Sequence, residues 1–455
     1  MTSIEKDKNG QTNSINQVRY GCTVGALHSV VAIPGAMPIT HCGPGCVDKQ
    51  YTSIAFYNGF QGGGYAGGAV TPSVNATENE VVFGGEKRLE GLIKSTLKIM
   101  DADLYVVLNG CIGELVGDDV GAVVSKFQKQ DIPIVFADTG GFKGNNFIGH
   151  ELIVEAIIDQ YVDKFAKNKE RKEQGLINVW TELPYQNPMW RGDLKEIKRL
   201  LEGAGFRVNI LFGQGSGGVE EWKTIPNAQF NLVLSPWLGL KTAQHLEEKY
   251  NQPYLHIPVL PIGAKEVARF INEVVSFADI DTTKAEAFIQ KEEKEYYYYL
   301  EQFADFYSEY WWGLPATYAV VGDSTYNLAI NKFLVNQLGL IPAIQIITDN
   351  TPEKYKLAIE KEYKKLAEDV SAQIEFVEDG YIVGQLLKQA EYGHKPPILF
   401  GSTWERDTAR DLKGYIVEIA FPVSYEVVIN RTYVGYTGAL TLLEKIFTTS
   451  ISKSA

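Results

Sequence analysis

Four cysteines, Cys22, Cys42, Cys46 and Cys111, fall in the first quarter of the chain, and no thiol follows them. Scattered thiols behave as small buried hydrophobes; thiols gathered in one stretch suggest a shared task. Residues 41–46 read His-Cys-Gly-Pro-Gly-Cys, two thiols around glycines that permit tight turns and let a bulky inorganic ligand approach the backbone. That is the layout of a metal site. A dithiol redox switch more usually shows C-x-x-C, and tetrahedral zinc wants a second close pair, which Cys22 and Cys111 do not form. Spacing favours an iron–sulfur cluster and leaves zinc or structural thiols open. Disulfides are rare in reducing cytosol and unnecessary for a chain of this size.

The elements that must hold these residues recur as short β-branched runs, each followed by a turn and a helix-period segment, which predicts an α/β fold with parallel sheets covered on both faces. Residues 103–108 (DLYVVL) read as a buried strand ending at Asn109-Gly110-Cys111, residues 120–128 as a helix and 132–137 as the next strand. Cys111 is thereby expected just past the carboxyl end of a strand, where open α/β sheets hold ligands. A second block has strands at 177–180, 208–212 and 231–234 and a helix at 194–203. A third has strands at 318–321, 343–347 and 397–400 and a helix at 326–338. Residues 281–312, dense in Glu, Lys and Tyr, predict a connecting helix with one solvated face. The expected units are 1–175, 176–280, a helical connector 281–315, and 316–455. Residues 62–68 (GGGYAGG) read as a mobile loop, because ordering so many glycines costs the most backbone entropy.

Other motifs carry less. Asp118 and Asp119 follow Cys111 closely and are expected to cap a helix rather than act as an acid/base pair. Residues 213–218 (GQGSGG) fit G-x-G-x-x-G after a strand, but the acidic residue of a dinucleotide site is missing from the next strand. No phosphate-loop motif occurs. Of the six histidines only His41 adjoins the thiols; a structural role is the more common one for such a residue, and none is assigned as a ligand. No residue is assigned as catalytic.

With 45% hydrophobic and 22% charged residues over 455 positions, the chain is globular and long enough for two or three cores. A formal charge of −13 disfavours nucleic acid, whose readers need surplus Lys and Arg. No apolar run suggests a membrane span, and residues 1–16 are polar, so a cytoplasmic location is expected.

Taken in order, Gly21-Cys22, residues 41–46, residues 82–89 (VFGGEKRL), residues 111–119 (CIGELVGDD) and residues 141–144 (GFKG) resemble the nitrogenase component 1 family. The early part looks alpha- or scaffold-like, whereas Phe421-Pro422 and residues 434–439 (VGYTGA) look like the end of beta-type subunits. The resemblance implies three Rossmann-like domains and an iron–sulfur cluster held by Cys22, Cys46 and Cys111 at an interface with a related alpha-type subunit. It also implies a homodimeric, ATP-dependent iron protein that docks there and delivers electrons. Cys42 stands where the family usually has glycine; as a fourth ligand it would allow a [4Fe-4S] cluster held by this chain alone, in place of half of a shared [8Fe-7S] P-cluster. Gly141 falls where some beta subunits have a cluster-ligating serine, so that ligation is expected to be absent. With no later cysteine, the thiol that anchors the alpha subunit's metal cofactor is missing.

Two functions fit: a subunit relaying low-potential electrons to a site on its partner, or an assembly scaffold that holds a cluster without turnover. In either, Gly43, Gly45 and Gly110 would let backbone N–H groups come close to the cluster. A small-molecule α/β enzyme with structural thiols is a third reading, which would require an iron-free protein.

Overall fold

The computed structural model describes residues 15–63, 70–166, 172–310 and 314–454. The N-terminal 14 residues and most of the glycine-rich stretch read as a mobile loop lie outside the described residues.

Among the described residues the strands form three sheets, and every pairing between them is parallel. The first contains β1 (Ala36–His41), β2 (Leu104–Asn109) and β3 (Ile134–Asp138), in that order. The second contains β4 (Glu173–Trp180), β5 (Arg207–Asn209), β6 (Ala228–Val233) and β7 (Tyr254–His256), in the order β5-β4-β6-β7. The third contains β8 (Thr317–Gly322), β9 (Ile341–Ile347), β10 (Gln373–Phe376), β11 (Ile398–Gly401) and β12 (Tyr415–Glu418), in the order β10-β9-β8-β11-β12. In the second and third sheets the winding reverses at the first strand, so a crevice lies beyond the carboxyl ends between β4 and β6 and between β8 and β11.

The apolar runs are buried on both faces, as a parallel sheet demands. In β2, Leu104, Val106 and Leu108 alternate with Tyr105 and Val107. The first set joins one core that continues through all three sheets. The second packs with Ile39, Leu89, Ile93, Val124 and Phe127 into a separate core under the helices Glu86–Ile99 and Val120–Gln128. The third sheet likewise has its own outer core, built on Val321, Ile346, Leu399 and Val383.

Four strands had no counterpart in the sequence reading: β1, β7, β10 and β12. Each is at a sheet edge. An edge strand has one neighbour and need not be a long apolar run, and β1 carries Pro38, tolerated where a missing N–H leaves no ladder bond open. The long helix Thr283–Tyr310 forms where a connector was expected, with Tyr296 buried and Tyr297, Tyr298 and Tyr299 exposed. The C-terminal helix Gly435–Ser454 packs on it through Phe303 and Phe447, whose ring centroids are 4.6 Å apart.

Candidate metal centre

Each of three thiols sits at the start of a helix near the carboxyl end of the first sheet. Cys111 is the first residue of the helix Cys111–Val116, directly after β2 and Gly110. Cys46 lies in the first turn of Pro44–Phe56, after β1, and its N–H bonds the Gly43 carbonyl at 3.2 Å. Cys22 is the N-cap of the short 3-10 helix Thr23–Ala26. Helix starts suit thiolates because unpaired N–H groups and the positive end of the dipole face the sulfur.

The loop after β3 draws two of them together. Thr23 Oγ1 donates to the carbonyls of Thr139 and Gly140, at 2.8 and 2.7 Å, and Asn146 N–H bonds the Gly21 carbonyl. Gly141 then lies between Cys22 and Cys111: its N–H donates to Cys111 Sγ at 2.9 Å. A Cβ at Gly141 would stand 3.1 Å from Cys111 Sγ and 3.2 Å from Cys22 Sγ. Glycine here leaves space beside both sulfurs and lets a backbone donor reach one of them, a contact that tunes a cluster's ligand.

Cys46 completes the group. Burial raises the Cys22 thiol, and the neighbouring Cys111 and Cys46 sulfurs raise it further. The Cys46 thiol is pulled down to about 6, chiefly by a hydrogen bond from Cys42 and then by the Gly43 backbone and Lys49. Cys42 is pushed up, by donating to Cys46 and by burial. The two thiols are thus driven in opposite directions, Cys46 toward the charged form and Cys42 toward the neutral one.

Cys42 is set apart by its surroundings. Only 1% of it is exposed, with its sulfur 3.9 Å from Ser73 Oγ, while Cys22, Cys46 and Cys111 are all partly open. Of the three glycines expected near the cluster, Gly43 is the N-cap of the Cys46 helix and Gly45 faces open space. A Cβ on Gly110 would meet Cys42 Cβ at 2.8 Å, so this glycine lets the ends of β1 and β2 close together. Among the described residues no three His, Cys, Asp or Glu side chains converge as the ligands of a single metal ion do. A polynuclear cluster spreads its thiolates around several irons, and an all-thiolate donor set of soft sulfurs fits that use.

His41 does not face the thiols. Its Nε2 is 2.7 Å from Asp118 Oδ2, both side chains nearly fully buried, and the Gly85 N–H donates to the same carboxylate at 3.0 Å. A Cβ at Gly85 would lie 2.6 Å from the His41 ring. This clasp ties β1 to the helix that carries Cys111 and to the glycine pair before Glu86. Asp119 alone caps, accepting from Ala122 N–H at 2.7 Å. The sequence reading missed the clasp; the only local trace of it was the unusual pairing of a glycine doublet with a Gly-Asp-Asp run.

The surface around the thiols mixes apolar side chains with charged ones such as the Lys143–Glu114 ion pair. Val82, Phe83, Leu115 and Phe142 are exposed, and the helix Glu78–Phe83 packs beside Cys111–Val116.

Fold and site together define a three-sheet α/β protein with a group of cysteines at the end of its first sheet. A solved structure described as nitrogenase Cp1 at pH 6.5 superposes with a TM-score of 0.78 over 97% of this chain and 94% of that one, at 21% identity. The chain belongs to the nitrogenase component 1 type oxidoreductase family, which it matches over residues 22–451. Relatives include the nitrogenase molybdenum-iron protein beta chain of Methanococcus maripaludis, 26% identical over 100% of this chain and 98% of that protein. The corresponding beta chain of Azotobacter vinelandii is 23% identical over 94% of this chain and 83% of its own. One of the subunits of the light-independent protochlorophyllide reductase of Crocosphaera subtropica is 26% identical over 76% of this chain and 66% of its own. The chain is thus an oxidoreductase subunit related to beta-type chains.

Proposed function

We propose that this chain is the cluster-binding subunit of a nitrogenase-type reductase, relaying low-potential electrons from a homodimeric, ATP-dependent iron protein to an active site on a related alpha-type partner. The observation that carries the proposal is the contrast among the thiols: Cys22, Cys46 and Cys111 are partly open around Gly141, and Cys42 is closed off behind Cys46. Three open ligands leave a cluster incompletely held and call for a second subunit to cover it. The exposed Val82, Phe83, Leu115 and Phe142 give partners apolar surface beside the same thiols.

When bound, an iron–sulfur cluster supplies one-electron storage. This chain's residues hold it and set its surroundings. Cys22, Cys46 and Cys111 would hold it, and the Gly141 N–H donates to the Cys111 sulfur. We favour half of a shared [8Fe-7S] P-cluster over a [4Fe-4S] cluster held by this chain alone, because Cys42 would have to ionise while buried. The units 1–175, 176–280, 281–315 and 316–455 are proposed as domains and connector. A cytoplasmic location accords with the reducing conditions that free thiolates need; among the described residues no helix is long and apolar enough to cross a membrane.

The test is iron and acid-labile sulfide on protein purified without oxygen together with its co-purifying partner. About four irons per chain are expected, lost together with visible absorbance in Cys111→Ala. Iron-free protein under those conditions would end the proposal. A scaffold would use the same cysteines, and a complex that consumes no ATP or reductant with its iron protein would decide for it.

A further inference from the structure

The glycine-rich turn at residues 213–218 has a use outside the group of cysteines. It is not a dinucleotide fingerprint: the helix after it, Val219–Trp222, is a single turn, and Gly218 at φ +61° is required because a Cβ would lie 2.3 Å from the Pro34 carbonyl oxygen. What the turn does is wall a cleft of about 820 Å³, none of whose lining residues is a cysteine.

Arg191 and Lys195, one turn apart on the helix Trp190–Gly203, line this cleft and face the turn. The Arg191 guanidinium is fixed over the Tyr185 and Trp190 rings, 5.4 Å from each centroid. Its bonds go to the Gln61 and Gly62 carbonyls and the Tyr185 hydroxyl, so three of its donors are taken and none by an acid. A guanidinium has about five donors, which leaves it able to bind further. Among the described residues Lys195 has no acidic partner; on the exposed turn opposite, the Gln214 and Gly215 N–H groups have no protein acceptor, while the Gly217 N–H is held by the Glu221 carboxylate at 2.6 Å. Lys198 adds a charge beside them by donating to the Gly215 carbonyl at 2.6 Å. No carboxylate lines the cleft, in a chain whose formal charge is −13. Lys198 is shared with Glu202 at 3.9 Å, so the charge free for a ligand is that of Arg191 and Lys195, and two such cations in a concave site suit an oxyanion. Pro34 and the exposed Ile429 form its apolar wall.

We propose that this cleft binds a small organic anion, whose carboxylate or phosphate end is held by Arg191, Lys195 and the N–H groups of Gln214 and Gly215 and whose apolar end lies against Pro34 and Ile429.

Calorimetric titration of the full chain with phenyl phosphate, benzoate and inorganic phosphate tests this. Saturable binding of at least one aromatic probe is expected, tighter than that of inorganic phosphate and weakened by salt; the preferred probe tells phosphate from carboxylate. Lys195 is exposed, so Lys195→Met should fold normally and weaken that binding roughly tenfold, with Lys195→Arg restoring it. Unchanged affinity in Lys195→Met, aromatic probes no tighter than inorganic phosphate, or no saturable heat in the millimolar range would each overturn the assignment. Iron content is read on the same samples and is independent of all three outcomes.

Discussion

Cys42 and Cys46 are separated by three residues yet meet opposite conditions, and the difference decides what each can do. Cys46 has the helix start, the Gly43 backbone and Lys49 around it, all favouring charge; Cys42 has burial and a neighbour to donate to, both favouring the neutral thiol. If three thiols are the ligands, Cys42→Ala should leave iron per chain unchanged, while Cys22→Ala removes it. Equal losses in the two variants would make Cys42 a ligand. The four thiols were visible in the sequence as a group, but not which of them is closed off, because burial depends on Ser73 and on a strand end that spacing does not reveal. Asp118 was read as a helix cap for a related reason: its partners, Gly85 and His41, lie 33 and 77 positions away, and a local pattern sees only the helix that follows.

At the scale of elements, every central strand was legible and four of the six described edge strands were not; β3 and β5 were read from their apolar runs. A strand flanked on both sides is predominantly apolar, as β2, β8 and β9 are, whereas β10 reads Gln-Ile-Glu-Phe and borders solvent. Strand ends also carry a consequence for stability. Glu182 follows β4, Asp193 sits on the helix after it, and Asp323 follows β8; burial raises all three, Asp193 to about 6 and Asp323 to about 7, with the Asp193 and Asp323 charges adding to the rise at Glu182 and the Asp349 charge to that at Asp323. Neither Glu182 oxygen has a donor. Glu151 is likewise raised to about 7 by burial. These groups hold protons in the folded chain that the unfolded chain releases above about pH 4, so they cost stability as pH rises toward their folded values. His28 and His150, lowered to about 4 by burial, act oppositely, since between about pH 4 and 6.5 the unfolded chain takes up the protons. The two sets offset each other in mildly acid solution; above about pH 6.5 the raised acids outweigh the opposing Cys46, whose lowered thiol favours the folded chain there. The midpoint of urea unfolding should therefore fall between about pH 6.5 and 8, and Glu182→Gln should flatten the fall. A midpoint that rises over that interval would contradict the sign.

On the scale of the whole molecule, one core passes from the first sheet through the second to the third. Sequence blocks suggested three separable units, and residue patterns cannot report what packs between them. The last helix adds to the continuity, because Phe447 and Tyr436 pack edge-on against Phe303 and Tyr296 of the long connecting helix. Scanning calorimetry should accordingly show a single heat-absorption peak; three resolved peaks would mean that the shared core contributes little coupling. The placement of the thiols bears on how the chain is made. All four lie before residue 112, yet one face of the sheet beside them is covered in part by shared-core residues that come later, Phe147, Ile153 and Ile157 among them. At about 5–20 residues per second, the ribosome exposes a complete set of sulfurs for roughly 20 s to a minute before their scaffold can close. Loading with iron during synthesis would meet a half-built cradle, which favours delivery after release.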